Sequence, residues 1–146
     1  MLHFINKVLR LPLGKSYRAQ QFQRMAEGRR PEETLAFIME TVQHHTHKSG
    51  ALLGAQGIFV VVATYALDHG WSTGVALPAM LLLLIGSLLV MSTLISTGRI
   101  SHGDHTTQAR SAFDLLAGRV VRYNIALYSS FASILLLSTG ALLLAR

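Results

Sequence analysis

Histidine is the residue type in this chain best suited to chemistry, and five of the seven histidines fall in two short stretches. His44, His45 and His47 stand in "HHTHK", and His102 and His105 stand with Asp104 in "SHGDH". The pairs His44/His47 and His102/His105 are spaced three apart, which puts two imidazoles on one helix face. Together the four offer a tetrahedral nitrogen site of the kind that holds zinc, if the fold joins the two stretches. Three other readings compete with that metal site. Histidine is amphipathic and suits a membrane boundary, it can hydrogen-bond across neighbouring helices, and its ordinary pKa makes it a pH-responsive group. Haem is not expected, because axial histidines face each other inside a bundle and no histidine falls deep within an apolar block.

No other catalytic arrangement is visible. The chain has no cysteine, which removes disulfides, thiolate metal sites and cysteine nucleophiles. It carries no phosphate loop and no defensible nucleophile–base pair, so the expectation is a non-enzymatic protein without a cofactor.

The histidines flank uncharged blocks. Of the 146 residues, 51% are hydrophobic and 14% charged, and the apolar ones are concentrated at 49–67, 74–97 and 125–145. At about 1.5 Å per helical residue, each block covers a hydrocarbon core of roughly 30 Å. Blocks such as "LPAMLLLLIGSLLVMSTLI" are apolar all round, which argues against a soluble bundle, and too few segments exist for a barrel. The fold class expected is an all-α membrane protein with three transmembrane helices, in contact with the bilayer. Two of these helices continue as amphipathic stalks.

Charge distribution orients the spans. Residues 1–48 carry eight Lys/Arg against four acids and residues 98–123 carry four against two, while "DHGWST" between the first two blocks has no Lys or Arg. The positive-inside rule then places the N-terminus and the 98–123 segment in the cytoplasm, and Trp71 at the outer headgroup level. Lys7, Arg10 and Pro12 interrupt any leader-like apolar run.

Two domains of organisation follow. Residues 1–30 form a basic segment, either an amphipathic helix on an anionic leaflet or a disordered tail. Residues 31–146 form the membrane domain. Pro31 suits a first helical position and Glu32 and Glu33 complement the helix dipole, so one helix is expected from Pro31 to about Asp68. Its stalk, 31–48, bears Leu35, Ile38 and Val42 on one stripe. The second stalk, 106–124, starts at a capping Thr and bears Ala109, Phe113, Leu116 and Val120, so the stalks are expected to pair with each other or with a neighbouring subunit.

Small residues line the spans: Gly50, Gly54, Gly57 and Thr64 in the first, Gly86, Thr93 and Thr97 in the second, and Ala126, Ser129, Ser133 and Gly140 in the third. In lipid, close backbone approach and hydroxyl bonding hold helices together, so these are the expected packing positions. Gln56 is the one strongly polar side chain deep in a span; it either bonds between helices or lines a path. No intramembrane carboxylate or basic residue exists to run a pump or carrier.

The stretch "THKSGALLGAQGIF", Thr46 to Phe59, resembles the transmembrane module of Pycsar-type effectors and SLATT proteins of bacterial anti-phage systems. Lys48, Leu52, Leu53 and Gly57 fit its pattern, and "LLAGRVVRYNIALYSS" resembles its basic helix feeding the last span. Thr46 stands where the family has an acid, and Ser49 where it has another small residue. The resemblance, over Leu35 to Ala145, implies a homo-oligomeric inner-membrane effector of antiviral defence, triggered by a cyclic nucleotide or by a sensor protein. No nucleotide-binding fold and no nucleic-acid partner is expected in this chain. The other expectation is an accessory or anchoring subunit of a larger membrane complex, docked through its stalks and basic N-terminus.

Overall fold

The computed structural model describes residues 14–71, 73–95 and 103–144. They form four helices: α1 (Lys15–Ala26), α2 (Pro31–Asp68), α3 (Thr73–Ile95) and α4 (His105–Leu144). The described residues include no strand. Helices α2, α3 and α4 are each long and apolar enough to span a membrane. Only 17% of the most apolar stretch of α2 and 28% of those of α3 and α4 is buried within the chain. Apolar surface on that scale requires lipid or further helices around it. This is a multi-pass, all-α membrane protein.

The start of α2 shows why the chain turns helical at Pro31. Glu33 accepts a hydrogen bond from the Arg30 backbone N–H at 3.3 Å and from Arg30 Nε at 2.8 Å, the glutamate half of a capping box, and Pro31 between them has no N–H to satisfy. Gly28 precedes it with φ +74°, a left-handed turn residue that ends α1 and lets the chain reverse. From Pro31 the helix runs unbroken for 38 residues, through stalk and span alike. At its far end Gly70, φ +79°, turns the chain toward α3.

Contacts between the helices fix their directions. Thr46 meets Arg119 and Gln56 meets Ser130, so α2 and α4 run parallel. Ser49 meets Thr93 and Gln56 meets Ser87, so α3 runs antiparallel to them. The stalks share one core: Ile38 and Val42 pack with Ala109, Ala112, Phe113 and Leu116. They therefore pair within one chain, along the stripes expected from their spacing.

Two sequence expectations are corrected. The cap of α4 is Asp104, not a Thr: its carboxylate accepts the Thr107 N–H at 3.0 Å. The 1–30 segment contains α1, whose Phe22 and Met25 pack on the stalk core, so residues 15–26 are neither a disordered tail nor a helix apart from the stalks. Trp71 is half-buried and packs against the Gly140 face of α4, at the end of the spans opposite the stalks. The expectations for residues 1–13 and Thr97 lie outside the described residues.

Candidate functional site, a polar knot between three spans

Gln56 is fully buried midway along the span part of α2, among side chains of α3 and α4. Its Nε2 donates to Ser130 Oγ at 2.8 Å and to the Ala126 carbonyl at 3.5 Å, and its Oε1 accepts from Ser87 Oγ at 3.2 Å. One side chain thus ties all three spans. Burying an amide without partners in an apolar surround costs several kcal/mol, and these bonds remove that cost. Of the two uses open to Gln56, the interhelical bond is the one made.

The knot closes because α3 has a glycine opposite. A Cβ on Gly86 would stand 2.6 Å from Gln56 Nε2 and 2.6 Å from Ser129 Oγ, nearer than such atoms can approach. One turn and more away, Ser133, fully buried, donates to the Ala79 carbonyl at 2.8 Å, and Ser129 bonds the Ala126 carbonyl of its own helix. A Cβ on Gly140 would meet the Trp71 ring at 3.0 Å and Val75 at 3.1 Å. Gly86, Ser129, Ser133 and Gly140 are therefore packing positions inside the chain.

Gly50, Gly54 and Gly57 are not. All three are exposed, and a Cβ on any of them would meet nothing within 4 Å. They form an outward face of α2, available to lipid or to another protein but not to α3 or α4. The sequence expectation of helix packing fails for them within the chain.

The junction between stalk and span carries a second polar layer. Arg119 donates to Thr46 Oγ1 at 2.8 Å, and Arg122 reaches the Ser92 carbonyl at 3.3 Å. The His45 ring stands edge-on to Tyr123, centroids 5.9 Å apart, and its Nδ1 is buried without a hydrogen-bond partner. Burial pushes the His45 pKa down, and the neighbouring Lys48 and His44 push it the same way. Lys48 itself is exposed.

No known protein family, curated sequence or solved structure matches this chain. Function must be read from the arrangement itself.

That arrangement dissolves the histidine metal site. His105 lies beside Glu32, Nε2 to Oε1 3.7 Å, at the membrane-distal end of the stalks. Glu32 precedes His44 by twelve residues, which is about 18 Å along a helix. His105 therefore cannot share an ion with His44 and His47, which are exposed on α2. His102 lies outside the described residues, among which no group of three or more His, Cys, Asp or Glu is placed to hold a metal. The reason is that His105 stands at the far end of the second stalk, whereas His44 and His47 stand at the membrane end of the first.

Missed in the sequence were the packing of α1 on the stalks and the cleft it forms on α4. Their signal was present: Phe22 and Met25, three apart, between Gly14 and Gly28.

Proposed function

We propose that this chain is a non-enzymatic, oligomeric membrane effector, set in a bacterial inner membrane with its N-terminus and stalks in the cytoplasm. A cytoplasmic signal received by the stalks alters the packing of the spans and compromises the bilayer. The observation that carries this reading is the continuity of α2 and α4 from one shared stalk core into two spans tied by Gln56. A rotation or separation of the stalks cannot be absorbed by a loop, because none separates stalk from span. It reaches the Gln56 layer through rigid helix. The likeness of Thr46 to Phe59 to the Pycsar and SLATT modules supports the same role in antiviral defence, with a nucleotide or a sensor protein as the signal. The excess of Lys and Arg on the stalk side supports the orientation.

The outward glycine face of α2 supports a second reading, an accessory subunit that anchors a larger complex. A face free of side chains admits close approach by a foreign helix as readily as by another copy of α2. Induced expression with a membrane-potential dye separates the two: an effector collapses the potential when triggered, and an anchor leaves it intact. Purification in detergent adds a second criterion. The effector reading expects a closed homo-oligomer, and the anchor reading a stoichiometric foreign partner.

A further inference from the structure

Within the spans, α2 and α4 leave between them a crevice of about 90 Å³. Gln56 and Ser130, both buried, form its floor, and Phe131, 57% exposed, stands at its rim. Along α2 it runs from Leu52 through Ala55 to Phe59, all three half-buried. Its lining comes from α2 and α4 alone, so the mouth opens sideways, out of the bundle.

Depth decides what can reach that mouth. Lys48 is the last charged residue of α2 before Asp68. Leu52 follows it by four residues and Phe59 by eleven, which is about 6 Å and about 16 Å of helix. The middle of a hydrocarbon core roughly 30 Å thick lies at about 15 Å. The crevice therefore sits in the deeper part of the stalk-side leaflet and ends at the bilayer centre, beyond headgroups and dissolved ions.

Chemistry and size narrow the occupant further. A buried water needs two to four polar partners. Gln56 donates to Ser130 and to the Ala126 carbonyl, and Ser130 donates to that carbonyl at 2.9 Å. Every N–H and O–H of the floor is thus engaged, and the remaining lining is hydrocarbon. An apolar cavity of about 150 Å³ takes benzene, so one of 90 Å³ takes, in proportion, about three or four carbons.

We propose that this crevice seats the methyl end of a lipid acyl chain from the stalk-side leaflet. A void beside fluid chains forfeits dispersion contacts on one side, and a chain end restores them without stripping water from any polar group. The seated chain closes the dry surround of the Gln56–Ser130 pair, with helices on the inside and lipid on the outside. This requires only that the spans lie in a bilayer, and it holds for an effector and for an anchor alike.

The test uses the full chain, one copy per nanodisc, in lipids deuterated everywhere except at the chain-terminal methyl groups. Nuclear Overhauser cross-peaks from those methyls are read at the Phe59 ring and at Ile58, its neighbour in sequence, which is 67% exposed. A seated chain end gives the stronger peak at Phe59, although Phe59 is the less exposed of the two. A peak at Phe59 equal to or weaker than that at Ile58 overturns the site. Ala55→Leu supplies about as many carbons as the crevice holds, so the Phe59 peak should be lost while the Ile58 peak stays. Ala55→Val is the milder filling and takes its place if helical circular dichroism shows that the leucine disturbs the fold. A Phe59 peak that survives the filling also overturns the site. Discs holding two differently labelled copies test the other occupant. Peaks at Phe59 from the second copy, in place of the lipid methyls, overturn the acyl chain in favour of a side chain.

Discussion

Gly86→Ala is the smallest change that should unsettle the three-span knot. The added methyl group would lie 2.6 Å from both Gln56 Nε2 and Ser129 Oγ, so each must move. Overpacking of this kind costs typically 1–3 kcal/mol. Displacing Gln56 also strains its bonds to Ser130 and Ser87, and interhelical hydrogen bonds in membranes are worth on average about 0.6 kcal/mol each. The sum is about 2–4 kcal/mol. A double-mutant cycle gives the claim its edge. In a Gln56→Ala background one of the two obstacles is gone, leaving only the Ser129 hydroxyl, and the cost of Gly86→Ala should fall by about 1–2 kcal/mol. Reversible unfolding in bicelles by steric trapping measures all four corners of the cycle. An identical cost of Gly86→Ala in both backgrounds would refute the reasoning, because Gln56 would then not be what the glycine makes room for.

Further predictions follow the same contacts. Gly54→Leu, which meets open space within the chain, should leave monomer stability unchanged yet weaken assembly, read as a loss of crosslinked oligomer; an unchanged oligomer pattern would count against α2 as the contact face. Phe113→Ala, in the stalk core and 5% exposed, should cost about 3–5 kcal/mol and free α1, seen as faster amide exchange throughout Lys15–Ala26. His45 has a lowered pKa in the fold, so the folded chain binds fewer protons than the unfolded one once the pH drops below the ordinary value. Stability should therefore be complete above about pH 6.5 and decline as the pH falls from there toward the depressed value, and His45→Phe should flatten that decline in pH-dependent unfolding. Asp104→Ala should speed exchange of the Thr107 amide while Asp104→Asn, also a capping residue, keeps it protected.

What could be read in advance divides along a physical line. The bounds of α2, Pro31–Asp68, were legible because proline, paired glutamates and an unbroken apolar run are local signals. The stalk pairing was legible because in water only one stripe of each helix is apolar, and those stripes have to meet. Inside the spans that logic lapses. Lipid is as apolar as leucine, so hydropathy cannot tell an inward glycine from an outward one, and Gly86 and Gly140 look no different in sequence from Gly50, Gly54 and Gly57. Only Gln56 announced its direction, since an amide cannot face hydrocarbon unpaired. His105 was misplaced for another reason: it stands at the start of the second stalk, and the parallel pairing of the stalks sets it beside Glu32, not beside His44.

All of this depends on α2 passing without interruption from water into lipid. The chain has no cysteine of its own, so single cysteines introduced from Glu32 to Asp68 can each carry a spin label in reconstituted vesicles. Accessibility to a water-soluble nickel reagent and to oxygen then gives the depth of every position. The account predicts one helical period throughout, nickel contact up to about Lys48, and dominant oxygen contact beyond it, Gly54 and Gly57 included if the protein is kept dilute. A break in the period near Lys48, or nickel contact continuing along the whole outer face to Asp68, would contradict it.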